Sequence, residues 1–296
     1  MFRPPLARML LVSLLIGALP GAVRAEADAS PAPGLRVVSM NPSLTSILVA
    51  LDASSVLVGI DEHAARLHPE LAAVPVVGGL FNPSLEAVVA LDPDLVVLVP
   101  SAEQRDFRGR LEALRIEVLV LPNISVREIL ASIEMLGARV GRGPEARTRA
   151  DEIRRTFAEV RAVAAARPRV RTVVVLQRDP LFVVGRGSFI DEMLRAAGAE
   201  NVASDLREPY PRAAVEWLIA AAPDVILDAS DEPLAAAAFW TRWPSIPAAV
   251  NGGAFALPAS VTYPGPYIDR SLRFIADRIH GHQEAGPMSR FAGGAR

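Results

Sequence analysis

The stretch from Gly143 to Pro168, GPEARTRADEIRRTFAEVRAVAAARP, constrains this chain more than any other. Pro144 suits the first turn of a helix, where a missing N–H costs nothing, and Pro168 would stop it. Between them Ala146, Ala150, Ile153, Phe157, Val160 and Ala164 recur at alternating steps of four and three, which places them on one face. Arg147, Asp151, Glu152, Arg154, Arg155, Glu159 and Arg161 occupy the other faces, and Asp151 and Arg155 are spaced for an i,i+4 pair. A helix of roughly 22 residues is about 33 Å long, the diameter of a small domain. On each side lies a segment in which apolar strand-like runs alternate with helical runs. The pattern predicts one long helix joining two α/β halves. An ordinary surface helix within one large domain is the competing arrangement.

Residues 1–25 read as a signal peptide. Arg3 and Arg8 supply a positive start, Met9–Leu19 is a short apolar core, and Val23-Arg24-Ala25 resembles a cleavage site with Val in place of Ala. An uncleaved anchor is the alternative, against which the apolar run is short for a bilayer. Residues 26–34, EADASPAPG, read as a disordered lead. Export to the periplasm follows, with no membrane insertion after cleavage. The chain has no cysteine, so a disulfide framework, a thiolate metal site, a Cys nucleophile and a lipidated N-terminal Cys are all excluded. A net charge of −2 argues against nucleic acid or an anionic membrane as partner. Half of the residues are hydrophobic, enough for two domains of ordinary size.

In the first half, residues 35–142, Leu35–Met40 reads as a strand. Asn41 then caps a helix with Pro42 at its first position. Val56–Ile60 is a second strand, Asp61–Leu71 a short polar helix and Val74–Val77 a strand. The same opening recurs at Asn82-Pro83-Ser84-Leu85. Leu95–Val99 and Val118–Leu121 are further strands, and Ser125 caps a helix running to Val140, ended by Gly141. In the second half, residues 169–281, Val170–Leu176 is a strand, a helix begins near Ser188 and stops at Gly198, and a helix at Val215–Ala221 leads into the strand Val225–Leu227. Residues 282–296 read as a disordered tail. SLEAVVALDPDLVVLV and AVEWLIAAAPDVILDA share one grammar: a glutamate early in a helix, an apolar stretch, Pro-Asp, then a hydrophobic strand. The predicted fold is α/β, with two lobes, each a mostly parallel sheet covered by helices, and the duplication favours a ligand cleft between them.

Several passages carry a family resemblance: RVVSMNPSLTSILVAL, VVGGLFNPSLEAVVALDPDLVVL, LFVVGRGSFIDEMLRAAGAENVA, YPRAAVEWLIAAAPDVIL, and WPSIPAAVNGGAFALP followed by YPGPYIDRSL. In their order and spacing they resemble the periplasmic substrate-binding proteins of ABC importers for vitamin B12, haem and ferric siderophores, the class with a single helical backbone. The look is closest to the B12-binding members, and it covers the chain from about Arg36 to Gly281. The resemblance implies two lobes on one rigid helix, a monomeric binding protein and not an enzyme, and no cofactor of its own. It also implies a metal-chelate cargo, cobalamin or another corrinoid, with haem or a ferric siderophore as alternatives, and an inner-membrane ABC permease as partner.

Glu86 and Glu216 match the glutamates that dock such proteins onto permease arginines, one per lobe. Two exposed carboxylates would give a two-point, charge-complementary dock. Alternatively each simply favours the positive end of its helix. On the ligand side, Tyr210, Phe182 and Tyr263 fall in segments that contribute aromatic contacts in B12-binding relatives, where a ring offers a flat macrocycle a large apolar area. Ordinary packing is the other reading of each. His68 precedes Pro69 where relatives show Tyr-Pro. It could serve as an axial metal ligand, hydrogen-bond the cargo, or be a solvated loop histidine. Leu80 stands near a position that holds Trp in B12-binding relatives. Arg186 and Arg212 could serve an anionic siderophore.

Other signals are weaker. His63 and His68, five apart, diverge by about 140° on a helix, which argues against a bare-ion site with Asp61, Glu62 and Glu70. Gly185-Arg186-Gly187-Ser188 lacks the third glycine of a dinucleotide fingerprint and the lysine of a P-loop, and no G-x-S-x-G is present.

Overall fold

The structure, a computed structural model, describes residues 34–79, 82–101, 105–230 and 236–284. The expected signal peptide, nearly all of the lead, Leu80, and the tail from residue 285 lie outside these residues. Among the described residues no helix is long and apolar enough to cross a membrane.

The first half contains β1 (Val37–Ser39), α1 (Pro42–Ala50), β2 (Leu57–Ile60), α2 (Glu62–Leu67), α3 (Leu85–Ala90), β3 (Leu95–Leu98), α4 (Arg105–Ala113), β4 (Glu117–Val120) and α5 (Val126–Arg139). Its sheet is wholly parallel in the order β2-β1-β3-β4. Every residue of β1 and β3 is buried, as a strand covered by helices on both faces requires. After α6 (Gly143–Ala164) come β5 (Val170–Arg178), β6 (Leu181–Val183), α7 (Phe189–Ala196), β7 (Ala199–Asn201), α8 (Val215–Ala221) and β8 (Val225–Asp228). The chain then forms α9 (Ala236–Trp240), α10 (Pro247–Val250), β9 (Ala254–Ala256) and α11 (Ile268–Glu284). The second sheet runs β6-β5-β8-β9, with β7 sharing the β6 edge of the long β5; β6 alone is antiparallel.

Local chemistry sets most helix ends. The Asn41 carboxamide accepts from the Ser43 N–H at 3.0 Å, with Pro42 opening α1. Ser125 and Glu128 form a reciprocal capping box at α5. All six apolar residues expected on the inner face of α6 are buried, joined by Thr156. The helix packs on α5, α7 and α11, so the largest core cluster is continuous from α1 to α11 through α6. At Gly137 of α5 a Cβ would sit 2.3 Å from that of Ala146, so the two helices pack there with no room for a side chain. The expected Asp151–Arg155 pair does not form. Asp151 meets Arg154 at 2.8 Å, because that arginine also reaches Glu134 on α5 at 2.8 Å and so bridges two carboxylates.

Elsewhere tertiary contacts shift what the sequence suggests. The helix expected over Asp61–Leu71 breaks at His68, whose φ of −122° and ψ of 75° avoid the α region disfavoured before Pro69. Val74–Val77 is no strand. Only Val76 bridges Ile60, within an otherwise irregular segment. The second helix opening lies two residues later than Asn82: Pro83 bridges Gly78, the Ser84 N–H donates to the Val77 carbonyl, and Ser84 caps α3 by accepting from the Ala87 N–H at 3.1 Å. Gly78 has a φ of +102°, and a Cβ there would meet the Asn82 carbonyl at 2.6 Å, so this tight reversal requires glycine.

Candidate ligand cleft

In open α/β sheets, ligands bind beyond the carboxyl ends of the strands. Here those ends bring the start of α1, the loop after β4 and the chain after β9 together. Asn123 donates to the Ser43 hydroxyl at 3.1 Å across 80 residues of sequence. The two halves are tied at the same level: the Phe189 N–H donates to the Ile124 carbonyl at 2.6 Å, and the Val126 N–H to the Glu192 carboxylate at 3.1 Å.

Two cavities meet at Pro264. One, of about 390 Å³, lies between Ser46, Leu67 and His68 of the first half and the segment from Pro258 to Phe274 of the second, and includes Tyr263 and Tyr267. The other, of about 330 Å³, is bounded by Asn123, Ile124, Leu176, Ile190, Tyr210 and Thr262. The structure therefore brings His68, Tyr263 and Tyr210 to one region. Phe182 is half-buried in β6, opposite Gln177 and bridged to Arg212, and lines neither cavity. Arg186 also lines neither. It is exposed and donates to the Ser204 carbonyl at 2.8 Å.

His68 is buried and both ring nitrogens are engaged, Nε2 with the Ser46 hydroxyl at 2.8 Å and Nδ1 with Glu70 at 2.9 Å. It is thus no solvated loop histidine. Axial ligation of a metal would require it to give up one of these bonds. The Glu70 carboxyl is held below the usual carboxylate range by its own backbone N–H and then by the His68 ring. Desolvation pushes the Tyr210 phenol up to about 12, although the residue keeps a face to solvent and is 38% exposed. Asp61, which caps α2 by accepting from the His63 and Ala64 N–H groups, is raised by desolvation. Among the described residues no cluster of His, Asp and Glu could hold a metal ion.

Sequence reasoning missed Tyr267, Arg270 and Arg149. Arg149 of α6 donates to the Pro266 carbonyl at 2.7 Å, pairs with Asp269 and lies 5.8 Å over the Tyr267 ring. In doing so it fastens the cavity-lining segment to the connecting helix. Besides Glu152, three residues on, these partners lie more than a hundred residues away, beyond any motif.

Glu86 and Glu216 are both exposed, each at the second position of its helix, α3 and α8. Neither has an ion-pair partner among the described residues.

Two α/β halves on one long helix, with a cleft at the strand ends, define a two-lobe binding-protein architecture. Residues 37–259 match the periplasmic binding protein family. The chain belongs to that family. It is 28% identical over 214 residues to the vitamin B12-binding protein of Salmonella choleraesuis (strain SC-B67), an alignment covering 72% of this chain and 79% of the relative. The fold matches the periplasmic vitamin B12 binding protein BtuF of Vibrio cholerae with a TM-score of 0.76 at 22% identity, over 85% of this chain and 99% of the other. It also matches a periplasmic heme binding protein from Pseudomonas aeruginosa with a TM-score of 0.71 at 26% identity, over 83% and 92%.

Proposed function

We propose that this protein is the periplasmic substrate-binding component of an ABC importer, capturing a cobalamin or related corrinoid between its lobes and delivering it to the membrane permease. Residues 1–25 are its export signal, residues 35–142 and 169–281 its lobes and residues 143–168 the connecting element. The observation that carries the reading is the interlobe region where Tyr210, Tyr263 and His68 converge, on a fold whose relatives include named B12-binding proteins. Aromatic rings with polar tips suit a large, flat macrocycle whose edge carries amides. Glu86 and Glu216, exposed on separate lobes and without an ion-pair partner among the described residues, are the docking carboxylates.

Haem is the second reading, supported by the likeness to a heme binding protein. It must either use a tyrosine as axial ligand or release His68 from Ser46 or Glu70. A siderophore reading is the weakest of the three, since Arg186 is turned to Ser204 and lines neither cavity.

Visible absorption titration of residues 26–296 with cyanocobalamin and separately with hemin, followed by calorimetry, tests this. Saturable one-to-one cobalamin binding without a hemin Soret shift is the expected result. A Soret shift that disappears in His68→Ala would transfer the protein to haem uptake.

A further inference from the structure

The larger cavity has an electrostatic bias that the aromatic reading leaves unused. Among its described lining residues are one arginine, one histidine and no carboxylate. The acids nearby are committed elsewhere: Asp269 and Glu152 bind Arg149, and Glu70 binds His68. Arg270 has no carboxylate partner among the described residues, and its guanidinium instead lies 4.5 Å over the Tyr267 ring. Stacking uses the face of a guanidinium and leaves its in-plane N–H donors free.

On the opposite wall the His68 ring is held at both nitrogens, by the Ser46 hydroxyl at 2.8 Å and by Glu70 at 2.9 Å. Glu70 is exposed and is not among the described lining residues. Arg270 is therefore the one described lining arginine, and it has no carboxylate partner among the described residues. Leu67, Val261 and Phe274 make much of the remaining wall apolar, beside Ser260 and Ser271. An unpaired guanidinium on an apolar wall suits an anionic oxygen group carried on a larger apolar body.

We infer that this cavity is an anion subsite, in which Arg270 holds a carboxylate or phosphodiester group at the periphery of the captured chelate. The inference rests on the cleft being the ligand site and adds the requirement that the ligand be anionic at one edge. The first two cargoes considered above carry such a group, cobalamin as a phosphodiester and haem as carboxylates.

Paired ligands test it. Dissociation constants are measured for wild type, Arg270→Gln and Arg270→Lys with cyanocobalamin against dicyanocobinamide, which lacks the phosphodiester, and with hemin against its dimethyl ester. For the chelate that binds, Arg270→Gln should weaken the anionic member by about tenfold and leave the uncharged member unchanged, with partial recovery in Arg270→Lys. No change with either member, or equal weakening of both, would overturn the subsite. If wild type binds none of the four, the corrinoid and haem readings fail. The subsite is then decided by 8-anilinonaphthalene-1-sulfonate, an apolar ring system bearing one anion: weaker binding in Arg270→Gln upholds it, and identical binding refutes it. Arg270 is exposed on α11, so thermal unfolding of the variants should match wild type.

Discussion

The passages α3–β3 and α8–β8 are the same unit built twice, and comparing them separates what the duplication keeps from what it releases. Each helix carries its glutamate at the second position and ends on a left-handed residue, Asp92 with φ 44° and Ala222 with φ 43°. Each next donates a backbone N–H to the strand beside it, Asp94 to the Arg36 carbonyl at 2.9 Å and Asp224 to the Arg171 carbonyl at 2.8 Å. Those two arginines also reach back to the ends of the helices: Arg36 donates to the Leu91 carbonyl at 2.7 Å and Arg171 to that of Ala221 at 2.6 Å. A cation at a helix C-terminus satisfies orphan carbonyls and favours the dipole. The contacts at the helix C-termini are thus preserved, while the N-caps beside the glutamates differ.

At the other ends of the strands the copies part. Where β3 finishes on buried Leu98, β8 finishes on buried Asp228. Asp228 accepts from Arg178 at 2.8 Å and from the Trp240 indole at 2.7 Å, and both the N–H and the hydroxyl of Ser230 donate to it. Arg178 in turn stacks 4.3 Å from Phe239. The shared geometry thus lies where each helix ends and its strand begins, and the divergent chemistry lies at the far ends of the strands.

The largest expected effect tests the shared glutamates. Glu86→Arg combined with Glu216→Arg should abolish transport in cells while calorimetry shows unchanged ligand affinity. Parallel loss of both would make the glutamates structural. At the divergent end, Asp228→Ala should cost about 3–5 kcal/mol, because it leaves a buried guanidinium and indole unpaired. Leu98→Ala, which opens only a cavity, should cost about 2–5 kcal/mol. Urea unfolding of the two also separates them by rescue: Asp228→Asn should recover part of the loss, whereas Asp228→Leu should not, and full recovery in the leucine variant would remove the ion pair from the account. The smallest effect lies at the caps. Ser84 caps α3, but Ala214 leaves α8 without a side-chain cap. Ser84→Ala should lose about 1 kcal/mol, and Ala214→Ser should gain a smaller amount, since Ala214 already has extended cap geometry with φ −105° and ψ 155°. Thermal unfolding measures both.

Much of this was legible beforehand. The face of α6, the cap at Asn41, the capping serine at position 125 and the span of α8 all follow from residues within a few positions of one another. The errors fall where distant backbone competes with a local signal. Asn82-Pro83 repeats the Asn41-Pro42 opening letter for letter, yet pairing of residues 83 and 84 with Gly78 and Val77 postpones the helix. α4 escaped notice because its sequence, RDFRGRLEA, is dominated by charge and buries only Phe107 and Leu111.

The sequence by itself determined the α/β alternation, the two-fold repeat, the long connecting helix and the family resemblance. Each is written in short-range periodicity, caps or motif order, and local interactions need no partner from elsewhere. Only the tertiary structure decided which side chains meet. His68 finds Ser46 from 22 residues away, and Arg149 finds Asp269 from 120 away. Spacing in the chain carries no information about such pairs, because the path between them is set by the packing of the helices on the sheets. The same packing left Arg270 facing an acid-free cavity, a property no stretch of sequence contains.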